Sequence, residues 1–216
     1  MRPCDPKTVD ISLSMLVVVA LFTLSACVER VSSHLSPDYA RHKPTSIAVL
    51  PMRNGTGEPL NSPSSNAYLK GLLERALFSD QQANLEPPLL FRRQVHDTLH
   101  KKNYHVLPLD IVDERAGHRQ AQDILQLPAT DAKSLLGVDS LLYGIITGWD
   151  TRRLKTDNTI MVGLSFKLVD LETQTVLWEG EQPYSSVSIK ATQPWHDVRY
   201  YISRVVRDVL ATLPDS

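Results

Sequence analysis

The chain has 216 residues, of which 42% are hydrophobic and 22% are charged. Its 23 Lys and Arg residues nearly balance its 24 Asp and Glu residues, and the resulting net charge of -1 excludes a broad basic field for binding nucleic acid. With 9 Gly and 14 Pro and no internal repeat, the sequence is neither collagen-like nor a low-complexity linker. These values are typical of one globular domain with an N-terminal extension.

The first 26 residues have the features of a bacterial lipoprotein signal peptide. Arg2 and Lys7 precede an apolar stretch at residues 11–24. This stretch is shorter than the roughly 20 apolar residues that a transmembrane helix needs. It runs into Leu-Ser-Ala-Cys at residues 24–27, which resembles the bacterial lipobox. The resemblance implies that residues 1–26 are removed and that Cys27 becomes the acylated N-terminus.

The cysteine count agrees with this prediction. The only other cysteine, Cys4, lies in the segment to be removed, so the mature chain cannot form an internal disulfide. The alternative is that Cys27 is a buried or disulfide-bonded cysteine in an uncleaved segment. Two or three acyl chains would hold the protein firmly, because each buried methylene contributes about 0.8 kcal/mol. Val28 stands where an Asp usually retains bacterial lipoproteins at the inner membrane, so the resemblance implies the outer membrane, with the domain facing the periplasm.

The mature chain divides into a tether and one domain. Residues 27–43 hold the lipidated Cys27 and a polar stretch with neither helical nor strand periodicity, which predicts a tether. We expect a single domain over residues 44–216. Residues 46–50 form a short apolar run rich in β-formers and predict a central strand.

The rest of the chain predicts helices and strands in alternation. We expect helices at about 65–78 and 89–102 and short helices between 110 and 127. A further helix is expected to begin with Thr130 or Asp131 as its N-cap and to end at Gly137. Strands are expected at 104–107 and 140–146. The clearest β signal is a hairpin of residues 160–171 and 175–182, in which Val162, Leu164, Phe166 and Leu168 alternate with smaller or polar residues. Residues 195–213 carry an apolar helical stripe. This order predicts an α/β (α+β) sandwich, with a mixed β-sheet, flanking helices and a long C-terminal amphipathic helix.

Several short motifs together resemble a family of bacterial lipoproteins of unknown function. They lie at residues 38–39, 44–51 with Asn54, 104–108 through 113–114, 127–128, 137–139 with 142–143, and 168–171 with 177–180. The fold of that family is similar to the N-terminal domain of the translocation protein TolB and to the periplasmic domain of the curli secretion lipoprotein. Two departures are a longer segment at 55–88, which indicates a helical insertion, and Thr173-Gln174 at the hairpin turn where relatives commonly have Thr-Gly. The family offers no catalytic residues to transfer.

One motif has the spacing of a zinc-protease helix. His96-Asp97-Thr98-Leu99-His100 follows the pattern H-E-x-x-H with Asp in place of Glu. Because Asp is one methylene shorter and no third ligand follows on a suitable element, we expect no metal and no cofactor here. Two helix histidines that bind nothing are the simpler interpretation.

Other candidates for chemistry are weaker. The adjacent carboxyl groups of Asp113 and Glu114 could act as acid and base, but such pairs more often simply face solvent. Trp149, Trp178 and Trp195 could anchor a partner, although packing in a core is the more ordinary role of each. No nucleophile elbow or phosphate-binding loop is present in the sequence.

These observations favour a non-enzymatic interaction module in the cell envelope. The resemblance implies a role in assembly, in which the protein acts beside a curli-secretion-like lipoprotein. Its partner would be an envelope protein or a second copy of the same chain. The alternatives are an activator of a cell-wall synthase and a zinc-dependent hydrolase built on His96 and His100. We expect residues 159–166, or the return strand through Trp178, to form the exposed sheet edge at which partners pair, and we expect neither nucleic acid nor a small-molecule substrate to bind.

The lipobox leads to a direct test. We expect mass spectrometry of the mature protein to show an N-terminus at Cys27 that carries diacylglyceryl and an amide-linked acyl chain. Cys27→Ser should leave the chain unprocessed or released from membranes while its circular dichroism spectrum is unchanged. Full-length chain in the membrane fraction with an unmodified Cys27 would contradict the prediction.

Overall fold

The computed structural model describes residues 31–57, 60, 87–188 and 198–216. The predicted helix at 65–78, most of the predicted insertion at 55–88, Trp195 and Cys27 lie outside the described residues. Within them the structure has seven strands and six helices. The strands are β1 (Ser32–Leu35), β2 (Ser46–Val49), β3 (Arg53–Asn54), β4 (His105–Val106), β5 (Ser140–Asp150), β6 (Thr159–Asp170) and β7 (Val176–Ser188). The helices are α1 (Pro87–Lys101), α2 (Leu109–Ala116), α3 (Ala121–Leu125), α4 (Ala129–Leu136), α5 (Leu154–Asp157) and α6 (Val198–Leu210).

All seven strands join one mixed sheet, as the sequence predicted. Their order is β1-β7-β6-β5-β2-β4, and β3 pairs with β5 beyond the end of β2. Strands β1, β7, β6 and β5 pair antiparallel, whereas the pairs of β2 with β5, β2 with β4 and β3 with β5 are parallel. The predicted strand at 46–50 is therefore internal to the sheet.

The first face of the sheet is covered by α1 and α6. The predicted alternation in β6 is confirmed, because Val162, Leu164, Phe166 and Leu168 are fully buried on this face. The apolar stripe of α6 packs on it through Ile202, Val205, Val206, Val209 and Leu210. The largest fully buried side chain, that of Trp178, also belongs to this core.

The second face has a smaller core under α2, α3 and α4. Ala48, Leu50 and Leu141 contribute to it from the strands, and Val112, Ile124 and Leu136 from the helices. Two helical layers with the sheet between them make an α+β sandwich, as expected. Gly137 ends α4 in the left-handed conformation at φ 71°, as predicted, but Pro128 occupies the N-cap position and neither Thr130 nor Asp131 caps the helix.

The predicted tether is wrong for its described part. Residues Ser32–Leu35 form β1 and pair with residues 178–181 of β7 at the edge of the sheet. Tyr39 is buried, and its hydroxyl lies 2.7 Å from that of Tyr104, which donates a 2.5 Å hydrogen bond to the carbonyl of Pro214. An exposed edge strand is held mainly by backbone hydrogen bonds, so its side chains need no apolar alternation and the sequence pattern does not reveal it.

The expected sheet edge is also corrected. Residues 159–166 of β6 pair with β5 on one side and β7 on the other, and Trp178 of β7 pairs with Leu35 of β1. Both neighbours of β6 are longer than predicted, since β5 reaches Asp150 and β7 reaches Ser188. The described sheet instead ends at β1 and at the two-residue β4.

An ion pair that includes a buried arginine joins elements of the parallel half. Arg92 of α1 is only 3% exposed. Its Nε donates to the carbonyl of Val49 at 3.0 Å, and its Nη1 lies 2.6 Å from the carboxylate of Asp113 in α2. Both members of the adjacent acidic pair are exposed, but only Asp113 is seen to neutralise the buried guanidinium.

This difference predicts unequal effects on stability. Asp113→Ala should lower the free energy of unfolding by about 2 kcal/mol, because the buried guanidinium loses the charge that compensates its desolvation. Glu114→Ala, the matched removal of the neighbouring carboxylate, should change it by less than about 0.5 kcal/mol. Urea unfolding of both variants measures the difference, and equal effects would show that the ion pair does not stabilise the fold.

Candidate functional site: the polar face of the sheet

The described helices cover only part of the second sheet face. Helices α2, α3 and α4 pack over β2 and the start of β5, where the second core lies. Farther along the sheet, the side chains that β6, β7 and β1 direct to this side are half-buried or exposed. We call this surface the polar face; it comprises Ser32, His34, Tyr143, Ile145, Ser165, Lys167, Glu179 and Glu181.

Strand register arranges the polar face in two rows across four strands. Tyr143, Lys167, Glu179 and His34 are consecutive partners from β5 to β1. The next row consists of Ile145, Ser165, Glu181 and Ser32. Each row places side chains about 5 Å apart, which is close enough for neighbours to interact.

Charges on the polar face are partly compensated. Lys167 Nζ donates to Glu179 Oε1 at 2.5 Å, and this hydrogen bond is the main reason that the pKa of Lys167 is raised. Glu181 is exposed on the next row, so the face carries two carboxylates and one ammonium group. Such a surface suits a partner with basic or hydrogen-bonding groups.

A tyrosine bounds the polar face at one end. Gly148 faces Gly163, and both pairings of β6 shift register beside them. A Cβ on Gly148 would lie 2.0 Å from the Tyr184 ring, and a Cβ on Gly163 would lie 2.5 Å from the hydroxyl of Thr147. Gly148 thus makes room for the ring of Tyr184, and Gly163 makes room for the backbone of Tyr184 and for Thr147. Burial raises the pKa of Tyr184.

The alternation in β6 places Gly163 and Ser165 on the same side of the sheet, but the two positions differ. Ser165 is half-buried on the polar face. A Cβ on Gly163 would lie 3.2 Å from the backbone of Gly148 and of Tyr184. A charged residue at Gly163 would therefore disrupt the sheet itself.

A shallow cleft of about 230 Å³ opens where α3 stops covering the sheet. Arg53 contributes a cation at its rim, and Tyr143 connects it with the polar face. Its remaining lining residues are Ala121, Gln122, Leu125, Gln126, Gly144 and Ile145. These amides, apolar side chains and guanidinium can bind a peptide segment or side chain, and they include no nucleophile paired with a base.

The zinc-protease spacing is not completed by the fold. His96 and His100 lie on α1, where the His96 ring contacts Asp97 at 3.4 Å and His100 is exposed. Within the described ranges no group of three His, Cys, Asp or Glu side chains could hold a metal ion.

Two of the three tryptophans lie in the first core. Trp178 is completely buried, and Trp149 packs its ring edge-on against Phe91 with centroids 5.6 Å apart. His34 lies on the polar face. The apolar pattern alone did not predict this face. The polar residues that alternate with the apolar ones in the hairpin could have indicated it, because Ser165 pairs with Glu181 and Lys167 pairs with Glu179.

With helices on both sides of a mixed sheet, the protein belongs to the class of α+β sandwiches. A family model described as "Putative lipoprotein GNA1162-like" matches residues 79–216. The chain belongs to this family. No curated protein matches the sequence.

Two solved structures are similar to this chain. The PelC dodecamer from Paraburkholderia phytofirmans is 15% identical, with a TM-score of 0.49 over 86% of this chain and 97% of that one. Lipoprotein GNA1162 from Neisseria meningitidis is 20% identical, with a TM-score of 0.46 over 80% of this chain and 100% of that one. Identities this low carry over neither activity nor partners.

None of the helices in the described residues has the length and apolar character needed to cross a membrane.

The geometry of α1 leads to a prediction about metal. Tag-free protein should carry no stoichiometric zinc, because two imidazoles without a third ligand bind Zn²⁺ weakly. His96→Ala with His100→Ala should leave thermal stability and metal content unchanged. Elemental analysis tests this, and zinc that copurifies with the parent but not with the double variant would contradict it.

Proposed function

We propose that this protein is a lipid-anchored, non-enzymatic assembly component of the cell envelope. Acyl chains on Cys27 would hold it at the outer membrane, and the folded domain would face the periplasm and bind another envelope protein or a second copy. Membership of a lipoprotein family and the lipobox at residues 24–27 support the anchor.

The polar face is the observation that carries the proposed association. Its eight side chains form one surface across four strands, and those on β6, β7 and β1 are half-buried or exposed. A face with two carboxylates and one ammonium group selects a complementary partner by charge, which contributes specificity more than affinity. The neighbouring cleft with Arg53 offers a place for a protruding side chain of that partner.

The structure also bears on the alternative of a synthase activator. Such a lipoprotein must reach from the outer membrane towards the inner one, which requires a long tether. Val31 already packs against the first core, only four residues after Cys27. Action close to the outer membrane is therefore the better-supported proposal.

Charge changes on the polar face test the association. Glu181→Lys and Ser165→Arg should each reduce, at least severalfold, the amount of partner or of differently tagged copy that copurifies from solubilised outer membranes, since they place a cation where the partner meets carboxylates. Glu172→Lys makes the same change as Glu181→Lys at an exposed position of the hairpin turn and should have no effect.

Circular dichroism must show that all three variants are folded. If Glu181→Lys and Ser165→Arg are folded and yet recover the parent's partners in full, the polar face is not the binding surface.

A further inference from the structure

The first strand begins very close to the predicted lipid. Val31 packs against the core and Ser32 opens β1, so residues 28–30 alone separate Cys27 from the packed chain. Four residue steps of at most about 3.6 Å each span about 14 Å. A domain held on so short a connection must present one particular side to the membrane.

The direction of β1 identifies that side. Leu35 pairs with Trp178 and Ser32 pairs with Glu181, so the chain upstream of β1 points towards the C-terminal end of β7. We call this region of the domain the bulged end. It consists of residues 150–159, the end of β7 at residues 184–188, and the first turn of α6 at residues 198–201. The hydroxyl of Tyr201 donates a 2.8 Å hydrogen bond to the carbonyl of Asn158, which joins α6 to this end.

The chemistry of the bulged end suits a lipid surface. Three large apolar side chains are exposed in the described chain, and two of them, Tyr184 at 44% and Tyr200 at 43%, lie here. The phenol of a tyrosine is apolar along its body and polar at its tip, and tyrosines concentrate at membrane–water interfaces for that reason.

Basic side chains are exposed at the bulged end. Arg153 and Arg199 are exposed there, and Arg152, which is also exposed, forms an ion pair with Asp150. Arginine pairs well with the phosphate oxygens of lipid headgroups.

We propose that the bulged end rests on the headgroups of the membrane that holds the lipid anchor. Tyr184 and Tyr200 enter the interfacial layer, and the arginines beside them meet lipid phosphates. The turn at residues 171–175 then points away from the membrane, and the polar face stands roughly upright where a periplasmic partner can reach it. This orientation rests on the anchor of the proposed function.

Distance to the bilayer tests the orientation in the acylated protein. Cys27 is blocked by its lipid, so one introduced cysteine can be labelled: Ser186→Cys at the bulged end or Glu172→Cys at the turn, both exposed. The length of β7 separates these positions by about 40 Å. In vesicles of phosphatidylethanolamine and phosphatidylglycerol that contain a headgroup-labelled quenching lipid, we expect severalfold stronger quenching at Ser186→Cys.

A second variant tests the contacts themselves. Tyr200→Ser combined with Arg153→Gln should weaken the quenching at Ser186→Cys by at least twofold. Leu35→Ser is the matched control, because Leu35 is as exposed as Tyr184 but lies at the other end of β1. It should leave the quenching unchanged.

The outcomes separate the two proposals. The first outcome concerns protein that sediments with the vesicles. If quenching there is equal at the two sites, or stronger at Glu172→Cys, the orientation is overturned and the lipid anchor remains intact. Protein that does not sediment with vesicles at all overturns the anchor, and the orientation with it.

Discussion

The burial of β6 between β5 and β7 is the constraint on which the rest of the domain depends. Ile160, Val162, Leu164, Phe166 and Leu168 point to the first face, where α1 and α6 cover them, and the alternation places Ser165 and Lys167 on the other face. A shift of one residue in register would exchange the two sets. The same alternation therefore defines both the main core and the polar face.

Close packing of glycines with aromatic rings shapes the two ends of β7. A Cβ on Gly180 would lie 2.3 Å from the ring of Trp178, so this glycine lets the indole lie flat within the first core. Gly148 does the same for Tyr184 on the opposite face. The register of both pairings of β6 shifts beside Gly148 and Gly163. Tyr184 thus lies at the boundary between the polar face and the bulged end.

The N-terminal segment links the proposed anchor at Cys27 to the polar face. Strand β1 adds the last row to the polar face, through Ser32 and His34, and Tyr39 joins the same segment to Tyr104 and to the C-terminus. Force or constraint applied through the lipid would thus reach the edge of the sheet directly. In a domain built this way the position of the anchor and the orientation of the binding face are not independent.

The sequence by itself determined much of this protein. The hairpin alternation, the stripe of α6, the αL glycine that ends α4 and the mixed α+β architecture follow from local patterns of apolar and turn residues, and the structure confirms them. The lipobox at Cys27 is equally legible, and its acylation stays a prediction.

Only the tertiary structure decided which surfaces are open. Strand β1 has no apolar alternation and is recognised by its pairing with β7. Arg92 is buried where Asp113 and the carbonyl of Val49 meet it from other elements. Strand β6 is internal because β5 and β7 pair with it on both sides. The polar face joins β5, β6 and β7 to β1, which lies more than a hundred positions earlier in the chain. Local patterns record the preferred conformation of a segment, whereas burial, edges and binding surfaces depend on which distant segments it meets.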